Sequence, residues 1–434
     1  MEYNVVDINS SEKEVEIKLS YDEIQKDIET EVKKQARSIQ MPGFRKGKVP
    51  LPMIKKMYGD ALEHEASEKV ANSFFWKIAE DNKLRPIGQP SMTELKFEPE
   101  KDLTFKVKYE TIPEIKVKDY KELKFEIPDF VVKEEEVEKE IEYILNSNRS
   151  LEDAEQVDGK NFVIDSEITL TEKDGEKITD SKSEKMQIDL ASEGIAKEIV
   201  DNAKGKKVGE SFNFSFKDEH KHKQDDGVEE VHKQEFKYSV NILGVKKIVL
   251  PELNEELIKK VSKDKVTTEE QLREEIKKDI QNYYDQRVEE LIRSKLITEI
   301  IKNNDFVPPQ SLVNNILAEY VKSEEEQAKK SKYAFNKEET EKRLLKSAET
   351  EVKWYLIKNE IQKLENITVN DDDLKELAEK DSQKTGIPVE KLINYYKTSN
   401  QSEKTLDIKL FDFLKANNTF NKVDPEKLKV KQGA

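Results

Sequence analysis

Residues 41–52, Met41-Pro42-Gly43-Phe44-Arg45-Lys46-Gly47-Lys48-Val49-Pro50-Leu51-Pro52, are the most informative stretch of this 434-residue chain. Between Val32 and Gly59 there is no Asp or Glu, although the chain holds 92 of them. The same window carries Lys33, Lys34, Arg37, Arg45, Lys46, Lys48, Lys55 and Lys56, a basic island in a protein of formal net charge −16. Gly43 and Gly47 permit positive φ, whereas Pro42, Pro50 and Pro52 fix φ and stop any helix that reaches them. The pattern predicts a stiff, exposed turn with Phe44 at its tip, flanked by cations and without a periodicity to bury it. The residues alone fit two readings: a docking point, or a surface loop whose Phe44 folds back on its own domain while the lysines are merely solvated.

The run Gly43-Phe44-Arg45-Lys46-Gly47-Lys48-Val49-Pro50 resembles the ribosome-docking signature of the trigger factor family of bacterial chaperones. The resemblance covers eight consecutive residues and continues more weakly toward both ends of the chain. It implies that Phe44, Arg45 and Lys46, with Gly43, Gly47 and Lys48 around them, contact a ribosomal protein beside the tunnel exit and adjacent ribosomal RNA. Cations that displace counterions from phosphates give affinity that falls with salt, and an apolar ring can anchor in a partner's pocket.

Working outward, Val15, Ile17 and Leu19 alternate with charged residues as in a strand with one buried face, and Ser20 with Glu23 forms a capping-box pattern opening a helix. Tyr21, Ile24, Ile28, Val32 and Ile39 follow at helical spacing. Beyond the basic turn, Leu62, Ala66, Val70, Phe74 and Ile78 recur every four residues. Strand alternation returns at Leu95 and Phe97, then at Leu103, Phe105, Val107 and Tyr109. Residues 1–112 therefore read as an α+β domain with its basic loop between helices. Residues 113–149 read as a long connection with strand-like pieces and a helix carrying Val137, Ile141 and Leu145. Residues 150–247 read as β-rich, with strands through Phe162, Ile164, Ile168 and Leu170, through Phe212, Phe214 and Phe216, and through Phe236, Tyr238, Val240 and Ile242.

Residues 248–423 read as helical. Thr267 and Glu270 are placed to cap a long helix through Leu272, Ile276, Ile280, Tyr284, Val288, Leu291 and Ile300, which Val307-Pro308-Pro309 ends. Further helices carry Leu312, Ile316 and Tyr320, then Leu344, Val352, Leu356, Ile361 and Leu364, then shorter stripes with Leu374, Leu377, Leu392, Tyr395, Leu410, Phe411 and Leu414. The tail 424–434 is expected to be disordered. The family resemblance gives this multidomain α+β chain an N-terminal α+β ribosome-docking domain, an FKBP-like β-rich middle domain and an all-helical C-terminal chaperone domain with extended arms.

Charged residues make up 39% of the chain, against roughly 25% in ordinary globular domains. Such a composition favours a thin, high-surface molecule. The absence of cysteine removes disulfides, thiol catalysis and thiolate metal sites, and fits a reducing compartment, with cytoplasm the default. No secretory signal and no membrane-length apolar run is present. Net acidity confines any RNA contact to the basic island.

The resemblance to FKBP-like domains carries prolyl isomerisation, which needs no nucleophile but a dry aromatic pocket that favours the twisted amide. Aligned by eye, Asp165 keeps the acidic residue of that pattern, but Ser166 stands where an aromatic usually follows. Ile178-Thr179-Asp180-Ser181 occupies the place of a Gly-Gly turn, and Ile199, within Lys197-Glu198-Ile199-Val200, replaces a pocket Phe. The run from Glu219 to Gln224 lacks a pocket Tyr, leaving Tyr238 as the one residual pocket candidate. Weak or no isomerase activity is expected. His220, His222 and His232, near Asp225, Asp226 and Glu229, offer a His-x-His pair but no spacing specific for zinc. They read as a solvated, lengthened hairpin loop, with no metal site assigned. His64 reads as a surface residue. Tyr333 and Phe335, at an inter-helix turn on an arm tip, either touch unfolded clients or pin the turn to its own helices.

The function implied by resemblance is that of an ATP-independent holdase that needs no cofactor, docks at the ribosomal exit site and shields nascent and unfolded chains during folding and export. Homodimerisation off the ribosome is compatible with it, and a membrane partner is not expected. Two alternatives stand beside it: a chaperone that is also an active prolyl isomerase, and an acidic helical scaffold unrelated to ribosomes.

Overall fold

The structure is a computed structural model that describes residues 2–42, 44, 49–178, 181–223 and 229–432, with backbone only at 218–223, 229–233, 384 and 429–432. Its elements run β1 (Glu2–Asp7), β2 (Glu12–Leu19), α1 (Tyr21–Ala36), α2 (Leu51–Asp81), β3 (Ile87–Lys96), β4 (Leu103–Glu110), β5 (Lys124–Pro128), α3 (Glu134–Ser147) and β6 (Ser150–Ala154). Next come β7 (Phe162–Lys173), β8 (Glu176–Lys177), β9 (Glu184–Asp189), α4 (Lys197–Ala203), β10 (Ser211–Lys223), β11 (Glu229–Val249), α5 (Glu255–Ser262) and α6 (Glu269–Asn303). The chain ends with α7 (Gln310–Ser331), α8 (Lys337–Leu364), α9 (Asp371–Thr385), α10 (Val389–Thr398), α11 (Gln401–Ala416), β12 (Thr419–Val423) and α12 (Pro425–Gln432). Two compact units result: Met1–Asp129 with Val288–Ala434, and Phe130–Arg287.

In the first unit, the antiparallel sheet β1-β2-β4-β3 carries α1 and α2. Strict alternation in β2 and β4 brings Val15 opposite Val107, Ile17 opposite Phe105 and Leu19 opposite Leu103. All six are buried, so these three rungs of the ladder are also apolar cross-strand pairs. The Ser20 N–H donates to the Glu23 carboxylate at 2.9 Å, opening α1 as its sequence predicts. In α2 the four-residue stripe drifts, because a turn takes 3.6 residues and each step of four advances the side chain by about 40°. After Val70 the core position passes to Ala71 and Phe75, and Phe74 is left half-buried. In α10 the buried residues are Leu392 and Tyr396, four apart, while Tyr395 stands exposed, and Leu364 is exposed at the end of α8.

The connection after Ile112 is not a free spacer. β5 pairs in parallel with β12, placing Phe125 against Phe420 with ring centroids 5.5 Å apart. Two asparagines hold the preceding backbone. Asn304 accepts from the Lys118 N–H and donates to the Lys118 carbonyl, both at 2.8 Å. Asn418 accepts from the Leu123 N–H at 2.7 Å and donates to the Tyr120 carbonyl at 3.0 Å. Asn304 is 7% exposed, so Asn304→Leu strands a buried backbone pair and should cost about 2–4 kcal/mol, read as an earlier denaturant transition. β12 also qualifies the all-helical reading of the C-terminal domain. The tail is likewise corrected: α12 forms from Pro425, and the Asp424 carboxylate accepts the Glu426 N–H at 2.9 Å.

Helices α6, α8 and α11 pack around Leu296, Ile300, Ile357, Ile361, Leu410 and Leu414, Val313 and Val352 join α7 to α8, and α9 and α10 share a smaller core of Leu374, Ala378, Leu392 and Tyr396. Pro309 precedes α7 and has no capping side chain; instead Glu110 of β4 accepts the N–H groups of Gln310 and Ser311 at 3.0 and 2.9 Å. A carboxylate there satisfies orphan donors and complements the helix dipole.

In the second unit, β11 is the central strand, antiparallel to β10, β7 and β6, with β8 and β9 on β7. Its core is Phe162, Ile164, Leu190, Ile199, Phe212, Val240 and Ile242. A second core joins Val137 and Ile141 of α3 to Ile258, Leu272 and Ile276. The cap of α6 differs by one position from its expected place. Thr268 Oγ1 accepts the Gln271 N–H at 3.3 Å, and the Gln271 side chain accepts the Thr267 N–H at 3.1 Å.

Candidate functional site: the loop between α1 and α2

The segment between α1 and α2 is anchored on both sides. Met41 and Val49, each 9% exposed, insert into the core of the sheet and two helices. Sequence reasoning assigned them no role, yet they are the apolar residues that bracket the basic run. Between them the Phe44 N–H donates to the Met41 carbonyl at 3.1 Å, and the Phe44 side chain is 38% exposed. Gly43, Arg45, Lys46, Gly47 and Lys48 lie outside the described residues. Pro50 ends the loop and caps α2, whose first turn contains no acidic residue. The nearest ion pairs are at the surface: Lys33 with Glu29, Lys34 with Glu31, and Lys55 with Glu63 at 3.8 Å. His64 is exposed and lies 3.7 Å from Glu68.

The residues read as remnants of an isomerase pocket are structurally occupied. Asp165 binds Lys246 at 2.9 Å and Gln187 at 2.8 Å, and the Lys246 ammonium, first, then the Gln187 amide hold its carboxyl below the usual range. Ser166 is buried and donates to the Met186 carbonyl at 2.8 Å. Ile199 sits in the core on α4, which Glu198 and Asn202 tie to β10 through the Ser215 N–H and the Asn213 carbonyl. Tyr238 shares the face of Val240 and Ile242 but is only half-buried, its ring stacked on Phe214 with centroids 5.2 Å apart. Thr179 and Asp180 lie outside the described residues.

The expected loop of histidines is instead strand. β10 continues to Lys223, β11 starts at Glu229, and His220 stands opposite His232 in register. Their side chains, together with Gln224, Asp225 and Asp226, lie outside the described residues. Backbone pairing won here because the sequence of both strands can continue the ladder that Phe212, Phe214 and Phe216 begin.

At the α7/α8 turn, Lys332 adopts positive φ and Tyr333 is 48% exposed, whereas Phe335 is half-buried. A groove of about 800 Å³ that sequence reasoning missed lies among the C-terminal helices, lined by Ile297, Thr350, Trp354, Tyr355, Lys358 and Asp407. Its apolar floor is Trp354, which packs on Phe411. The adjacent Trp-Tyr pair on α8 was the signal for it. Among the described residues no helix is long and apolar enough to cross a membrane.

Residues 1–144 match the family model described as bacterial trigger factor protein, and residues 268–416 match the model of the trigger factor C-terminus, about two thirds of the chain together. The chain is 26% identical over 430 residues to the trigger factor of Chlorobaculum parvum, covering 97% of this chain and 98% of that protein. It is 29% identical over 425 residues to the trigger factor of Chloroherpeton thalassium, covering 96% and 97%. A solved structure titled for promiscuous substrate recognition in folding and assembly activities of the trigger factor chaperone superposes with a TM-score of 0.51 at 21% identity, over 94% of this chain and 99% of that one, a likeness of fold. Both ends of the chain and its architecture thus agree, and the protein belongs to the trigger factor family of chaperones.

Proposed function

We propose that this chaperone docks on the ribosome beside the tunnel exit through Phe44, Arg45 and Lys46, with Gly43, Gly47 and Lys48 in the same contact, and shields nascent and unfolded chains in the cytoplasm without a nucleotide cycle. One observation carries the reading: in the longest window free of carboxylates, Met41 and Val49 are locked into the core while Phe44 between them stays partly exposed. An apolar ring held out by its own anchors is poised for a partner rather than for its own domain. Tyr333, with Phe335 behind it, and the groove around Trp354 and Tyr355 supply dispersed apolar contacts for clients. Contacts of that kind release a client once its own core burial competes, because little is gained per residue. Co-sedimentation with salt-washed ribosomes tests the docking: the wild type pellets and a Phe44, Arg45, Lys46 triple alanine variant stays in the supernatant.

We propose further that prolyl isomerisation is weak or absent. The position of the pocket Phe is Ile199, buried in the core, and Tyr238 is engaged with Phe214. In an assay with a short Phe-Pro peptide and with a proline-limited refolding substrate, neither should be accelerated while aggregation is still suppressed. Acceleration that disappears in Tyr238→Ala would overturn this and make the protein an enzyme as well as a chaperone.

A further inference from the structure

The helix that follows the basic loop has two dissimilar sides at its start. Ile54 and Leu62 face the core of the domain and are buried. Met53 and Met57, four residues apart and so on one helical face, are 43% and 60% exposed, and Tyr58 beside them is 43% exposed. With Phe44, four large apolar side chains stand in solvent between residues 44 and 58. Tyr58 also lines a groove of about 420 Å³ between α1 and α2 whose apolar wall includes Ile39 and Leu62. Lys55 and Lys56 interrupt the methionines, and no carboxylate occurs from Lys33 to Tyr58. Clustered surface apolar groups mark interaction sites, and methionine is the side chain that best adapts to an irregular partner.

We propose that Met53 and Met57 form an apolar ridge that extends the contact made by Phe44 and seats on an apolar, carboxylate-rimmed patch of a ribosomal protein. The inference rests on the docking reading above and is continuous with it along the chain. The occupant is protein rather than RNA because thioethers on the outward face gain nothing from phosphate and sugar but gain from leaving water against apolar atoms. The carboxylate rim is the complement of Lys56, three residues from Met53 and so beside it on the helix, whereas Lys55 turns toward Glu63. Apolar and ionic parts of the surface then differ in one measurable way, since only the ionic part changes with salt.

The test uses the full-length chain carrying Met53→Gln and Met57→Gln, titrated with salt-washed ribosomes across a range of salt concentrations. Expected is binding about tenfold weaker at every salt concentration, with the slope of log affinity against log salt unchanged, as loss of buried apolar anchors predicts. Restoration to wild-type affinity by Met53→Leu with Met57→Leu, and melting curves unchanged in both variants, would support the ridge. Wild-type affinity in the glutamine variant, with the Phe44, Arg45, Lys46 triple variant impaired, overturns the ridge and leaves the docking loop standing. A reduced salt slope in the glutamine variant overturns it as well, because the lost contact would then be to phosphates. Full binding by the triple variant overturns the docking reading and this proposal with it.

Discussion

Alanine at Phe44, Arg45 and Lys46 together is expected to reduce ribosome affinity by about a hundredfold or more at low salt, and to flatten its salt dependence. The magnitude reflects two separable losses. A buried aromatic anchor is commonly worth about 2 kcal/mol or more on truncation, which is roughly thirtyfold. Each cation that neutralises a phosphate contributes about 0.7–0.9 to the slope of log affinity against log salt. Removing Arg45 and Lys46 should therefore lower the slope by about 1.4–1.8 if both contact phosphates. The fold should not respond, because Phe44 is exposed and the loop is held by Met41 and Val49 rather than by its tip. Equal pelleting of variant and wild type would sink the docking assignment. A lost contact with an unchanged salt slope would keep the docking but remove the RNA from it.

The second large effect is on stability. Phe75→Ala should cost about 3–5 kcal/mol in the N-terminal domain, whereas Phe74→Ala should cost about 1 kcal/mol, since only the first opens a cavity. Phe75 is 1% exposed and its ring lies 5.8 Å from that of Tyr109 in β4 and 5.3 Å from Trp76. Several cooperative units in one chain make a single unfolding free energy ill-defined, so the measurement needs a local probe. The chain has two tryptophans, Trp76 and Trp354. In a Trp354→Phe background, Trp76 fluorescence reports the unfolding of its own domain in urea. Equal destabilisation by the two alanine substitutions would mean that the stripe runs through Phe74 after all.

Which parts of this were legible in one dimension depends on how local their cause is. The alternation of Val15, Ile17 and Leu19 and of Leu103, Phe105, Val107 and Tyr109 appears unaltered as two paired strands, because a period of two leaves no choice of face. The Ser20 and Glu23 pattern opens a helix for a similarly local reason. The stripe in α2 was legible as a helix but not in its phase. Intervals of four and of three alternate in a real helix, and which of Phe74 and Phe75 enters the core is set by the sheet beneath. The basic island and its Phe-Arg-Lys triplet were visible as composition and as a string, while the anchoring by Met41 and Val49 was not. Nothing in their neighbours distinguishes an apolar residue that brackets a loop from one that merely belongs to it.

The pairing of β5 with β12 was beyond reach for a stronger reason. Lys124 and Thr419 are partners across most of the chain, and neither five-residue strand carries a pattern that names the other. The asparagines that hold this connection look like ordinary polar residues in sequence. Asn304 and Asn418 acquire their roles only when a backbone arrives with a free N–H and a free carbonyl. The histidine-rich run was similarly ambiguous, since polar residues suit a loop by composition and a ladder by backbone pairing, and the long partner strand decided for the ladder. The sequence by itself determined the features that local periodicity and charge dictate: the helices and strands, the basic loop and the family resemblance. Only the tertiary structure decided which apolar residue of an adjacent pair is core, which polar side chains hold the connection, and what anchors Phe44 in solvent, because each of these depends on atoms brought together from distant parts of the chain.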